Sequence, residues 1–268
     1  MKNKHINRII KIEKKIKDGH KLTKNDLCFI YEIDPKIRGF DCRIDQRIKE
    51  IIETRNPKQD ILIIFECEPS QIAYKQEDIN KNTKVYIGPL FKGIFQTNLE
   101  NIYTSFPEGK IREMEITIGG KTKKGLIEEL KGKKITIAKS AQQMMDNKDF
   151  TIYKKQRHVN LVRLTVEDLG FSKATAQEIY SRAKELGLEL CPAEIGPGLR
   201  LNYLDQPEKD WLCIAMKPIV DADDYLSVFF LGWEENFNLW LCANWAYPGV
   251  KWVADKEFVF RLRKSKVL

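Results

Sequence analysis

The sequence predicts an α+β protein. It reads as a helical N-terminal unit, a mixed α/β middle and a C-terminal domain of helix plus antiparallel β-sheet or small barrel. Three observations carry this. Residues 1–56 place apolar side chains at helical spacing between cap and stop signals. From Asp60 onward the texture changes to short apolar runs between irregular loops. Beyond residue 198, aromatic-rich runs alternate with turn signals, and Trp211, Trp233, Trp240, Trp245 and Trp252 all fall there. The expected divisions are 1–56, 57–148 and 160–268, with the polar, aperiodic stretch NKDFTIYKKQRHVN (147–160) as a linker.

In the first part, Ile6, Ile9, Ile10 and Ile16 predict one apolar stripe on a lysine-rich helix over 3–17. A terminal helix with so narrow a stripe is expected to add little core. Thr23 caps a second helix over 24–33, with Leu27, Ile30 and Tyr31 inward and Asp34-Pro35 as its stop. Ile44, Ile48, Ile51 and Ile52 predict a third over 45–55, ended by Asn56-Pro57. The run ILIIF (61–65) between Asp60 and Glu66 reads as a buried strand, and 85–90 as another. IREMEITI (111–118) alternates, with Ile111, Glu113, Glu115 and Thr117 on one face, which suits a half-exposed strand. Leu126, Ile127 and Leu130 then mark a helix over 123–131. A strand at 135–137 and a helix near 138–146 follow.

The clearest helix spans 176–186. Thr175 and Glu178 form a T-x-x-E capping box, Ala176, Ile179, Tyr180 and Ala183 make the stripe, and Gly187 is placed to close it in the left-handed region. Thr165 to Leu169 predicts a short capped helix, broken by Gly170. The pair reads as a hairpin covering a sheet rather than a DNA-reading motif, because Glu178 and Glu185 would repel phosphates. Strands are expected at 198–204, 210–217, 225–234, 238–245 and 256–263.

The net charge of +8 sits at the ends: residues 1–24 hold nine Lys/Arg against Glu13 and Asp18, and Arg261, Arg263, Lys264 and Lys266 add four. The body between them is slightly acidic. Lys4, Arg8, Lys11 and Lys15 are therefore the candidate anion contacts, suited to weak, sequence-independent, salt-sensitive nucleic-acid binding. No apolar run approaches the roughly 18 residues of a membrane span. The N-terminus lacks the apolar core of a secretory signal. Six scattered cysteines inside apolar runs point to buried thiols in a reducing cytoplasm.

Two stretches suggest chemistry. Gly120-Lys121-Thr122 after a strand and before a helix resembles the end of a phosphate loop, with Lys121 and Thr122 as contacts. The glycine such a loop needs five residues earlier is Glu115, so the plain alternative is a turn with Thr122 as N-cap. Asp60, Glu66 and Glu68 around strand 61–65, with Lys75 nearby, are the residue types that hold magnesium in phosphoesterases and nucleases. Only His5, His20 and His158 occur, which argues against a histidine triad or a histidine-rich zinc site. The tryptophans read first as core; exposed, they would form a stacking platform.

The segments FIYEIDPKIRGF, DQRIKEII, EITIGGKTKKGLIEEL and ELGLELCPAEIGPGLRLNY together resemble a family of proteins from candidate-phylum, metagenome-derived bacteria. That resemblance implies a bacterial cytoplasmic protein and brings no activity or cofactor with it. The expected function is a non-enzymatic binding or adaptor protein with a protein partner. The alternative is a metal-dependent phosphoesterase or nuclease built on Asp60, Glu66 and Glu68.

Overall fold

The computed structural model describes residues 2–31, 33, 46–208, 210–220, 224–234 and 238–263, with the side chains of 2–5 left aside. Helices and mixed sheets make an α+β fold. Two compact units share the chain: Met1–Gly88 with Glu100–Lys110, and Pro89–Leu99 with Ile111–Leu268. The division thus falls at neither 56 nor 147–160.

The first unit holds α1 (Lys2–Lys17), α2 (Lys24–Ile30), α3 (Gln46–Glu53) and α4 (Pro57–Phe65). A small parallel sheet follows, of β1 (Ile72–Ala73), β2 (Val85–Ile87) and β3 (Asn101–Tyr103) in that order. Thr23 and Asp26 cap α2 reciprocally. Ile9 and Ile12 of α1 are fully buried with Leu27, Phe29, Ile30, Ile48 and Ile64. The inward stripe is therefore Ile9 and Ile12, whereas Ile6, Ile10 and Ile16 stay exposed at 41%, 50% and 39%. This corrects the expectation that α1 adds little core. Ile44 and the Asp34-Pro35 stop lie outside the described residues.

The run 61–65 is helix, not strand. Asn56 accepts the Lys58 amide as N-cap, and Pro57 sits in the first turn, where its missing N–H costs nothing. Asp60, Ile61 and Ile64 turn inward while Ile63 is 43% exposed. Five apolar residues are too few to reveal a period of 3.6, so cap and proline decide.

The second unit runs β4 (Arg112–Ile118), α5 (Lys123–Gly132), β5 (Thr136–Ile137), α6 (Lys139–Asp146), β6 (Arg157–Thr165), β7 (Lys173–Thr175), α7 (Ala176–Leu186), β8 (Leu188–Glu189) and α8 (Ile195–Asn202). It continues with β9 (Leu212–Ile214), β10 (Ile219–Val220), β11 (Leu226–Trp233), β12 (Leu239–Trp245), β13 (Lys251–Val253) and β14 (Glu257–Leu262). Its main sheet has the order β4-β6-β14-β9-β11-β12-β5, with β10 on β11 and β8 on β14. The β14–β9 and β12–β5 pairs are parallel and the rest antiparallel. The sheet is thus mixed and open, neither wholly antiparallel nor a closed barrel. β7 and β13 form a separate ribbon.

Three expectations in this unit are corrected. Residues 147–160 are no linker: Phe150 is fully buried edge-on to Phe229 at 5.9 Å, and β6 begins at Arg157. Residues 198–204 are not a strand, because α8 runs through Asn202. Glycine normally weakens a helix, but here it lets α8 lie against the sheet. A Cβ on Gly196 would fall 2.5 Å from the Phe229 ring, and one on Gly198 2.9 Å from Ile118. Thr165 to Leu169 makes only a turn, although Thr165 and Asp168 bond each other as a capping pair would. By contrast α7 has its capping box, and Gly187 closes it at φ 96°.

Candidate functional site

Asp60, Glu66 and Glu68 do not assemble into a site. Asp60 is 2% exposed, and both its oxygens are engaged: Arg55 donates through Nε and Nη2, and the Tyr31 hydroxyl donates at 2.8 Å. Burial and the bond to Asp60 push the Tyr31 hydroxyl well above its ordinary value. Glu66 ends α4 in the left-handed region, exposed, and pairs with Lys24 at 2.8 Å. Glu68 and Lys75 are exposed beyond it. Among the described residues no three of His, Cys, Asp and Glu come together as a metal-binding group.

The glycine turn after β4 has its anion place filled from within. The buried carboxylate of Glu194 accepts from the Gly119 amide at 2.6 Å and from the Tyr153 amide at 2.9 Å. Thr122 caps α5 by accepting from Gly125, and Lys121 pairs with Glu129. The adjoining cavity of about 240 Å³ sets Glu129 and Glu194 beside Lys121 and Lys133, and Lys121 is already taken by Glu129, a poor match for an added anion.

Of the four basic residues proposed in α1, two are turned inward. Arg8 donates to the Asn25 carbonyl at 2.7 Å and lies 4.4 Å over the Phe29 ring. Lys15 pairs with Asp26 at 2.7 Å. Lys11 remains exposed, and the Lys4 side chain lies outside the described residues, as do Lys264 and Lys266.

A groove of about 620 Å³ opens in the second unit. One wall is α7, which presents Ala176, Gln177, Tyr180, Ser181 and Lys184. The sequence sets that wall: the capping box and Gly187 fix the ends of α7, Ile179, Ala183 and Leu186 are buried, and the next face along the helix meets the groove. Leu188 to Leu190, Pro218 and the turn Ala246 to Gly249 complete it. Tyr180 presents its ring there while its hydroxyl meets the Met216 backbone. Burial pushes that hydroxyl well above its ordinary value, so it stays protonated. Glu189 is held by Arg261 at 3.0 Å and Arg263 at 3.3 Å. Apolar walls with a few fixed polar groups are the make-up of a small-molecule or peptide pocket.

An aromatic cluster adjoins the groove. Tyr247 lines it and packs on Tyr225 at 6.0 Å, and Tyr225 packs on Trp245 at 5.8 Å. Trp245 is 60% exposed and Tyr225 43%. The other four tryptophans are packed. Trp252 is buried against Phe258, Trp211 stacks on Phe230 beneath Trp240, and the Trp233 indole donates to the Gln206 and Pro207 carbonyls. The core reading thus holds for Trp252; Trp211, Trp233 and Trp240 are half-buried, and Trp245 is exposed. Trp245 is the last residue of β12, and Tyr247 follows it just before Pro248-Gly249.

Unforeseen in the sequence is a buried polar network. Arg163 of β6 bridges Asp210 and Glu257. The Tyr203 hydroxyl donates to Asp210 at 2.7 Å. Nearby, fully buried Arg200 donates to Gln206 and to the Tyr203 carbonyl. Burial pushes Glu257 above its ordinary value, even beside Arg163. Its partners tie β6, β14 and the segment between α8 and β9 together. The chain matches no protein-family model, no curated protein and no solved structure.

Proposed function

We propose that this is a non-enzymatic binding protein that takes up a segment of a protein partner in the groove along α7. The observation that carries the reading is the continuity of an apolar groove of about 620 Å³ with the Tyr225–Trp245–Tyr247 cluster at its edge. Exposed Trp and Tyr are the residues that most often anchor protein interfaces. Lys184 and the Ser181 hydroxyl offer the few polar contacts that would fix a peptide's register. The sequence resemblance would set such a protein in a bacterial cytoplasm, and it names no ligand.

The test is selection of peptides from a displayed random library on the full chain. Binders are expected to weaken roughly thirtyfold on Trp245→Ala, the effect of losing an interface hot spot of about 2 kcal/mol. They are expected to be lost on Ser181→Trp, which fills the groove. Both positions are exposed, so melting should not change. Binders indifferent to both substitutions would place recognition elsewhere.

A further inference from the structure

The outer face of α1 carries a pattern that the core does not use. Ile6, Ile10, Lys14 and Lys17 follow one another at steps of four, four and three residues, so they form one line along the helix surface. That line covers about 16 Å. Its first half is apolar, with Ile6 41% and Ile10 50% exposed. Its second half is cationic apart from Glu13, which Arg47 pairs at 3.8 Å; Lys11 and Lys21 are exposed with it, and none of these lysines has an ion-pair partner among the described residues. The helix does not need to fold on contact, because Ile9 and Ile12 already anchor its opposite face in the core.

We infer that this face docks the protein reversibly on an anionic lipid surface. The isoleucines would enter the boundary between headgroups and acyl chains, and the lysines would lie over the anionic headgroups. Nucleic acid fits less well. A duplex backbone rewards the lysines but offers no apolar phase for Ile6 and Ile10, and this line of side chains has no aromatic ring to stack on a base. The arginine of the helix is also withdrawn onto Phe29.

Co-sedimentation of the full chain with phosphatidylcholine vesicles, with and without phosphatidylserine, decides the matter, with a DNA duplex titrated in parallel. Binding is expected only with phosphatidylserine, and it should weaken as salt shortens the screening length. Each of Lys14→Gln and Lys17→Gln should cost about fivefold. Ile6→Asn and Ile10→Asn should each cost about as much on vesicles, since roughly half of each side chain's burial is still to be gained, and nothing on the duplex. These side chains are exposed, so all four variants should melt as the parent does. No binding to anionic vesicles at low salt would overturn the inference. So would vesicle binding indifferent to the isoleucines, or duplex binding tighter than vesicle binding.

Discussion

Replacing Arg163 with methionine tests the buried network most directly. The change keeps an unbranched chain in place and removes the guanidinium that sits between Asp210 and Glu257. The Arg163 and Asp210 side chains are each 9% exposed and Glu257 23%, so solvent can replace little of what is lost. Breaking a buried ion pair from one side costs about 3–5 kcal/mol, since a charge is left without compensation. The Tyr203 hydroxyl still serves Asp210, while Glu257 keeps only the weaker attraction of Arg112. Burial already holds that carboxyl above its ordinary value of 4.5, and losing Arg163 pushes it higher. A carboxyl raised in the folded state contributes stability below its unfolded value and loses it as pH rises through its folded value. The deficit of the variant is therefore largest near neutrality and narrows toward pH 4.5. Urea unfolding followed by tryptophan fluorescence reads this unit alone, because all five tryptophans lie in it. A loss below about 1 kcal/mol at neutral pH, the range of an exposed pair, would refute the reasoning. So would a loss independent of pH. Neutralising Asp210 and Glu257 together with Arg163 should recover most of the stability.

Two further substitutions probe the helices. Gly187→Val should destabilise the second unit by about 1–3 kcal/mol, because a β-branched residue resists positive φ. The residue has φ 96° with Gln96 2.8 Å from a new Cβ, and an unchanged urea midpoint would deny the left-handed cap. Ile9→Ala should cost the first unit about 2–5 kcal/mol. Calorimetry that finds its transition unmoved would take α1 out of that core.

How far the sequence could be read depended on the reach of each signal. The ends of α7 were legible because Thr175, Glu178 and Gly187 act on their own neighbours. The half-exposed face of β4 was legible because alternation needs no partner. α8 was missed because IGPGLRLN looks unhelical until Phe229 and Ile118 are seen to need the room its glycines leave. The mixed sheet was missed because β12 takes β5 from about a hundred residues upstream, and β14 lies parallel to β9. The groove draws on α7, β8 and a turn some sixty residues further on. The Arg163 network joins side chains as far as 94 residues apart. Such pairings leave no local period in the chain.

The way the two units share the chain also sets an order of events during synthesis. Residues 89–99 belong to the second unit yet leave the ribosome before β3, which completes the small parallel sheet of the first. The first unit cannot close until residue 110 has been made. In the meantime Ile94 and Phe95, both buried in the finished protein, have been translated long before their anchor: the Gly93 amide bonds to the Glu185 carbonyl, at the end of α7. A nascent chain therefore carries an apolar segment without its partner while some ninety further residues are added, and that interval is when a chaperone would find this protein most in need of shelter.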